Sequence, residues 1–444
     1  MTEDELAVFS RLITGFAALP ADDPARLRAE RVAESFAREG RRARQRERRA
    51  DRSAADAELS AATALGAAGR REDAPISADS ASSVGEFRKP RRCYVCKEPY
   101  WQIHAFYHWL CPACASENYL RRTASTDLSG RRALLTGGRV KIGFQLALML
   151  LRDGAHVTVT SRFPADAVRR FAEHPGSADW SGRLAVVGID LRDPRQVLGF
   201  CDSLLAQGHP LDILINNAAQ TVRRPPEAYA ALLAAERVAL PGGPVPIALA
   251  PGFHVAAPRT AIGADPSPIG AAELDEAGLL PDPAPDNSWS ARLGELDPAE
   301  ILETHLVNAY APALLCDRLL PLLRASACEN RYIVNVTAVE GRFTVRNKTG
   351  GHPHTNMAKA ALNMLTRTAA AGLAAEGIHL CAVDTGWITD ENPGPKKHRL
   401  AESGFRTPLD IVDGAARIYD PIVRGEAGRP VSGAFLKDYR EAAW

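Results

Sequence analysis

The sequence predicts an α/β protein on a doubly wound parallel sheet, preceded by a small zinc-knuckle module and a helical or disordered N-terminal extension. Three observations carry this reading. From about residue 127 onward, short apolar runs alternate with longer segments of helical period, the pattern of strands joined by crossover helices. Between residues 89 and 122, two Cys-x2-Cys pairs flank an aromatic-rich stretch. Ahead of that, residues 39–69 have high helix propensity but almost no large apolar side chains to bury, which suits a solvated helix or a disordered segment.

The extension spans residues 1–88. Leu6–Leu19, "LAVFSRLITGFAAL", has the spacing of a short amphipathic helix, and an arginine run from Arg41 to Arg49 follows. Acids are interleaved with these arginines, so a solvated charged face is favoured over a nucleic-acid contact. Arg71–Pro90 reads as a linker.

Residues 89–122 form the second unit. Cys93-x2-Cys96 and Cys111-x2-Cys114, fourteen residues apart, have nearly the spacing of a four-thiolate zinc site. Some thirty residues cannot bury enough apolar surface to fold unaided, so a staple is expected. Four sulfurs close the shell of the ion, which makes the zinc structural. His104 and His108 lie between the pairs but are not needed as ligands. Tyr94, Tyr100, Trp101, Phe106, Tyr107 and Trp109 are expected to be the module's core rather than base-stacking groups.

Residues 127–444 are the third unit. Strand-like runs fall at Arg131–Gly138, His156–Arg162, Arg183–Leu191, Leu211–Ala219, Arg331–Ala338 and Ile378–Gly386, with helix-like runs at Ile142–Ala155, Gln196–Gly208, Pro298–Leu323 and from His352 on. A Pro- and Gly-rich insertion at about 221–297 follows the fourth strand. It emerges on the carboxyl edge of the sheet, where ligands bind in such folds, and its role as lid, interface or surface excursion stays open.

Bulk composition excludes several classes. Hydrophobic content of 46%, charged content of 24% and a net charge of +1 belong to an ordinary globular protein with no global bias toward polyanions. The longest apolar run, "LALMLL", is far too short to span a bilayer. The acidic start lacks a secretory pattern, and four clustered plus four scattered cysteines suit a reducing cytosol.

The chemistry-bearing residues form an ordered set. Thr136–Gly143, "TGGRVKIG", is a Gly-rich turn from strand to helix, able to bring backbone N–H groups to a pyrophosphate. "GIDL" at Gly188–Leu191, "NNAA" at Asn216–Ala219, Asn308 and Lys359 follow. In this order and spacing they resemble the short-chain dehydrogenase/reductase family over roughly Asp127 to Trp444. The resemblance implies a Rossmann-like fold, a nicotinamide cofactor, and hydride transfer to or from a small carbonyl or alcohol. It further implies that Thr136, Gly137, Ile142 and Gly143 form the cofactor turn. Asp190 and Leu191 would contact adenine, and Asn217, Ala218 and Ala219 would line the groove after the fourth strand. Asn308 matches a proton-relay Asn and Lys359 the Lys on the nicotinamide ribose. Thr385, Gly386, Ile388 and Thr389 occupy the segment near the carboxamide and phosphate. A dimer or tetramer would follow by analogy, with a protein partner for the zinc module or the insertion as a further possibility.

The departures are chemical. Lys141 replaces the middle glycine of the turn and is expected beside phosphate. Ala338 stands where the family's catalytic Ser aligns, with Thr337 just before it, and Thr355 stands in place of the catalytic Tyr. A phenol titrates near 10 and can exchange a proton with substrate; the Thr hydroxyl is several units less acidic, so Thr355 can hydrogen-bond a carbonyl but not act as a comparable acid. His354 and Lys359 are the nearest replacements. The second strand ends in Ser161 and Arg162 rather than a carboxylate, and Arg139 lies in the turn, which favours the 2′-phosphate of NADP(H) over NAD(H). The sequence therefore predicts an NADP(H)-dependent oxidoreductase with an altered proton-transfer site, set against a non-catalytic NADP(H) sensor or scaffold.

Overall fold

A computed structural model describes residues 2–76, 83–238, 245–255, 274–345 and 348–444. Two strands, β1 (Ser83–Arg92) and β2 (Pro99–His104), pair as an antiparallel hairpin. The other nine form one sheet: β3 (Arg132–Leu135), β4 (His156–Ser161), β5 (Leu184–Gly188), β6 (Ile213–Asn216), β7 (Ile247–Leu249), β8 (Arg331–Thr337), β9 (Ile378–Asp384), β10 (Phe435–Lys437) and β11 (Arg440–Ala442). Their order is β11-β10-β9-β8-β6-β3-β4-β5-β7, parallel throughout except for β11. The central strands carry apolar side chains on both faces because helices cover both. One core joins Leu146 and Leu150 to Ile418 and Ile422; the other joins Val197 and Phe200 to Leu315 and Leu319. The winding reverses at β3, which lies between β4 and β6. A crevice therefore opens beyond the carboxyl ends of β3 and β6.

Two helices at the C-terminal end, Gly394–Glu402 and Ile411–Glu426, are absent from the sequence reading. The second starts with a capping box between Asp410 and Asp413. The insertion is only partly described, with 239–244 and 256–273 outside the described residues. What is described adds the edge strand β7 beside β5. No described helix is long and apolar enough to cross a membrane.

The N-terminal half departs most from expectation. Helices Glu3–Ala17 and Pro24–Ala61 are regular, and the second, at ~57 Å, is exposed along most of its length. Its arginines Arg41, Arg44, Arg48 and Arg52 line a cleft of about 570 Å³ with Arg88. The hairpin begins at Ser83, upstream of the expected boundary at residue 89. Nor are residues 71–76 a free linker: Arg70, just before them, donates to the Thr407 and Leu409 carbonyls, and the Ile76 N–H to Asp410. Leu65, Phe87, Tyr100, Ile103, Phe106 and Tyr107 share one core with Ile388, Leu409 and Ile411. So small a module borrows the apolar surface it cannot supply itself.

A buried polar network welds this junction. Arg122 lies 2.5 Å from Asp410 and 3.1 Å from Asp413, and the Tyr107 hydroxyl donates to Asp413 at 2.6 Å. Arg417, fully buried, donates to Asn118 at 2.6 Å and lies 3.3 Å from Asp438. Burial disfavours the charge on Arg122, but the two carboxylates outweigh it and raise its pKa. Removing one partner of such a network strands the others. Arg122→Ala is therefore expected to destabilise the protein by about 3–5 kcal/mol, read as a fall in the urea midpoint, whereas Arg38→Ala, in an exposed pair with Glu34, costs much less.

Candidate functional site

The crevice is built first by the glycine turn after β3. Gly137 adopts φ +72°, and a Cβ on Gly143 would lie 2.0 Å from the Gly137 carbonyl oxygen. Both positions need glycine so that the turn can close onto its helix. Asn217 holds the turn, its Nδ2 donating to the Thr136 and Gly137 carbonyls at 3.0 and 3.1 Å. The Thr136 hydroxyl accepts from the Asn217 and Ala218 N–H groups, both at 3.0 Å. These four residues thus brace the end of β3 against the end of β6.

A cavity of about 380 Å³ runs along this turn, lined by Gly137, Lys141, Gly143, Arg162, Asp190 and Asn217 among others. Ile142, Leu191, Ala218 and Ala219 border it as well. At its β4 end the Ser161 hydroxyl accepts from the Phe163 N–H at 2.9 Å. The Arg162 guanidinium lies over Tyr229, 5.4 Å from the ring centre, with no salt-bridge partner among the described residues. Arg139 differs: burial requires a counter-charge, and its guanidinium pairs with Asp166 at 2.6 Å and donates to the Ala277 carbonyl. It is thus committed away from the 2′-phosphate role read from the sequence. Asp190 is held by Arg192, whose guanidinium outweighs the cost of burial and keeps the carboxyl below its usual range.

The residues aligned with catalysis sit at the end of β8, on the helix Pro353–Ala374 and in the turn Leu306–Tyr310. Thr337 and Thr355 are each 2% exposed, and neither hydroxyl has a hydrogen-bond partner among the described residues. Among the described residues they line neither of the two cavities on this edge of the sheet. Lys359 stands one turn after Thr355 in the helix Pro353–Ala374, and its ammonium donates to the Val336 carbonyl at 2.8 Å. Burial pushes that ammonium down to about 8, against a smaller opposing pull from Glu340. Glu340, absent from the sequence reading, has its own carboxyl pushed up by burial. Asn308 sits in a π-helical turn, Leu306–Tyr310, that interrupts the long helix. Its side chain bonds both ways to the Gln220 backbone, at 2.7 and 2.9 Å, and so fixes the loop leaving β6.

His354 is 1% exposed, with Nε2 3.9 Å from a Glu300 carboxylate oxygen and neither ring nitrogen hydrogen-bonded. Burial, with smaller contributions from His352 and His305, pushes its pKa down to about 4 and keeps it neutral. His352 stacks on Trp289 at 3.8 Å and contacts its carbonyl through Nδ1 at 2.9 Å. The end of the insertion thereby packs on the start of the catalytic-position helix.

The segment after β9 completes the groove. Gly386 donates its N–H to Asp384 at 2.6 Å, and Thr385 precedes it at the end of the strand. Ile388 points into the core shared with the zinc-type module, not into the groove, because Gly414 leaves room for it there. Thr389 donates its hydroxyl to Asp73 at 2.6 Å, and Lys141 pairs with the same carboxylate at 2.8 Å. Lys141 is therefore turned toward Asp73, at φ +54°, a conformation suited to the glycine it replaces. Asp73 has no recognisable motif around it. A second cavity of about 480 Å³ adjoins here, lined by Asp73, Lys141, Arg224, Asp275, Thr389 and Lys397 among others.

In the module, the sulfurs of Cys93, Cys96, Cys111 and Cys114 all lie within 4.8 Å of one another, with Cys96 and Cys111 3.7 Å apart. A tetrahedral ion with bonds of about 2.3 Å to sulfur sets its ligands about 3.8 Å apart, so the donor set and its spacing fit zinc. His104 accepts from the Phe106 N–H, and His108 contacts the Arg406 carbonyl; neither joins the cluster.

A family model described as short chain dehydrogenase matches residues 131–236, and one described as enoyl-(acyl carrier protein) reductase matches residues 279–409. An uncharacterized protein of Acanthamoeba polyphaga mimivirus is 32% identical over 351 residues, covering 75% of this chain and 71% of that one. The L-xylulose reductase of Mesocricetus auratus is 37% identical over 98 residues, 22% of this chain and 36% of the reductase. Among solved structures, an NADPH-bound carbonyl reductase from chicken fatty liver is 19% identical, with a TM-score of 0.45 over 71% of this chain and all of that one. A short chain dehydrogenase from Burkholderia cenocepacia in complex with NADP is 22% identical, with a TM-score of 0.47 over 70% and 97% of the two chains. With residues 131–236 and 279–409 inside matching family models and a relative aligned across most of both chains, this protein belongs to the short-chain dehydrogenase/reductase family.

Proposed function

We propose that the protein is an NADP(H)-dependent oxidoreductase acting on a small carbonyl or alcohol, with a structural zinc in its N-terminal module. The observation that carries the cofactor choice is Arg162, a cation without a carboxylate partner among the described residues, at the end of β4 and bordering the groove. A 2′-phosphate supplies the missing counter-charge. Gly137 and Gly143 let the backbone approach the pyrophosphate, and Asn217 keeps the turn in shape. NADP(H), when bound, supplies or accepts the hydride.

The proton comes from this chain. Thr355 offers a hydroxyl to the substrate oxygen but is too weak an acid to protonate it. Lys359, one turn along the same helix face, has an ammonium pushed down to about 8 by burial. That value matches a general acid near neutral pH. Lys359 therefore takes the proton-transfer role, with Thr355 orienting the oxygen and Thr337 supplying a second hydroxyl. One observation favours the alternative of a non-catalytic NADP(H) sensor or scaffold: the Lys359 ammonium is bound to the Val336 carbonyl, and both Thr hydroxyls are buried.

Isothermal titration decides between these readings. Intact protein should bind NADP⁺ and NADPH more tightly than NAD⁺, and Arg162→Ala should erase that preference at a cost of about 1.5–3 kcal/mol, the range for a hydrogen bond to a charged group. No binding of any dinucleotide sinks both readings. Binding without turnover across a panel of carbonyl substrates selects the sensor. If Lys359 is the acid, carbonyl reduction should decline as pH rises through about 8, where the ammonium loses its proton, and Lys359→Met should lose both turnover and the pH dependence. Elemental analysis should find one zinc per chain, and Cys93→Ser or Cys114→Ser should abolish it and lower the melting temperature.

A further inference from the structure

We propose that the acidic segment Arg71–Asp73 is a built-in competitor of the cofactor, its carboxylates occupying the groups that would otherwise receive a phosphoryl oxygen. The inference rests on the reading of the crevice as a dinucleotide site. It begins with two contacts made by one carboxylate. Asp73 accepts a hydrogen bond from Thr389 at 2.6 Å and pairs with Lys141 at 2.8 Å. Lys141 borders both cavities of the crevice, and Thr389 lies in the segment that closes it. A hydroxyl and an ammonium converging on two oxygens of one anion is the donor set a phosphate also satisfies.

Glu72 adds to the same arrangement. It accepts from the Asp390 N–H at 2.8 Å and pairs with Lys397. Arg71 reaches the other way, 2.5 Å from Glu276 at the end of the insertion. Two acids of the N-terminal region thus neutralise two lysines on the rim, and an incoming polyanion meets carboxylates where it needs cations.

The segment is placed to leave and return. Arg70 is anchored on the Thr407 and Leu409 carbonyls and Ile76 on Asp410, so both ends stay docked while residues between them move. What holds Glu72 and Asp73 is polar: one hydroxyl, one backbone N–H and two lysines. Such contacts are exchanged for a phosphate's at little cost, whereas undocking the apolar module would be expensive. Only the fraction of molecules with the acids displaced accepts cofactor, so the apparent affinity is reduced by that fraction.

The test uses full-length, zinc-loaded protein. Asp73→Asn keeps the shape and removes the charge, and is expected to bind NADP⁺ at least about tenfold tighter than the parent, within the usual range for coupled sites. Glu72→Gln should give a smaller gain in the same direction. As an independent readout, saturating NADP⁺ should speed trypsin cleavage after Arg71 in the parent protein. Equal or weaker binding by Asp73→Asn, with the parent still binding, would overturn the proposal and make Asp73 an orienting partner of Lys141, leaving the cofactor reading intact. No dinucleotide binding by either protein would overturn both.

Discussion

The arrangement depends on one buried cluster of charges, Arg122 between Asp410 and Asp413, extended by Tyr107 and continued through Arg417 to Asn118 and Asp438. Each member is costly to bury alone, and each is compensated only when the others are in place. The cluster spans the junction between the cysteine module and the helix Ile411–Glu426, so it forms only if the two are docked in one register. Fixing that register also fixes the segment between β9 and this helix, which carries Gly386 and Thr389. The Tyr94 hydroxyl, accepting from the Trp387 N–H at 2.8 Å, shows how directly the module reaches that segment. A module with four clustered sulfurs need perform no chemistry to matter for the site; it packs on the segment that borders the crevice.

The opposite wall is set by ordinary sheet physics. Reversal of winding at β3 opens a gap between neighbouring connections, and the glycine turn with Asn217 shapes its floor. Onto this inherited frame the chain places two changes with a common theme. Lys141 takes a left-handed glycine position, and Asp73 arrives from far away in sequence to neutralise it. On the helix Pro353–Ala374, Thr355 stands where the sequence comparison expects a phenol, and burial pushes the Lys359 ammonium down to about 8. In the first case the substitution and its compensation lie on segments far apart in the chain; in the second they lie one turn apart on the same helix.

That separation explains what was legible in the sequence. The sheet, its helices and the clustering of the four cysteines were legible because each is written in local period or spacing: "RALL" and "ILIN" read as buried strands between helices. Asn217, Gly143 and Lys359 were legible through their place in an ordered series. The pairing of Arg139 was not legible because Asp166, its partner, lies a full helix and strand away. Ile388 was misplaced because its direction is decided by the space over Gly414. Asp73 had no local signature at all; it lies in a stretch whose composition reads as linker, and only the anchors Arg70 and Ile76 give it a position.

The short strand β7 has a consequence of a different kind. Ile247–Leu249 lies parallel to β5 and closes what would otherwise be an open margin of the sheet, while the three-residue antiparallel β11 closes the far margin. Long, flat margins invite a neighbouring chain to add itself by backbone hydrogen bonds. Here both margins end in pieces too brief to template such growth. The insertion thus sets the margin of the sheet itself, and at three residues that margin offers a neighbouring chain few backbone groups to pair with.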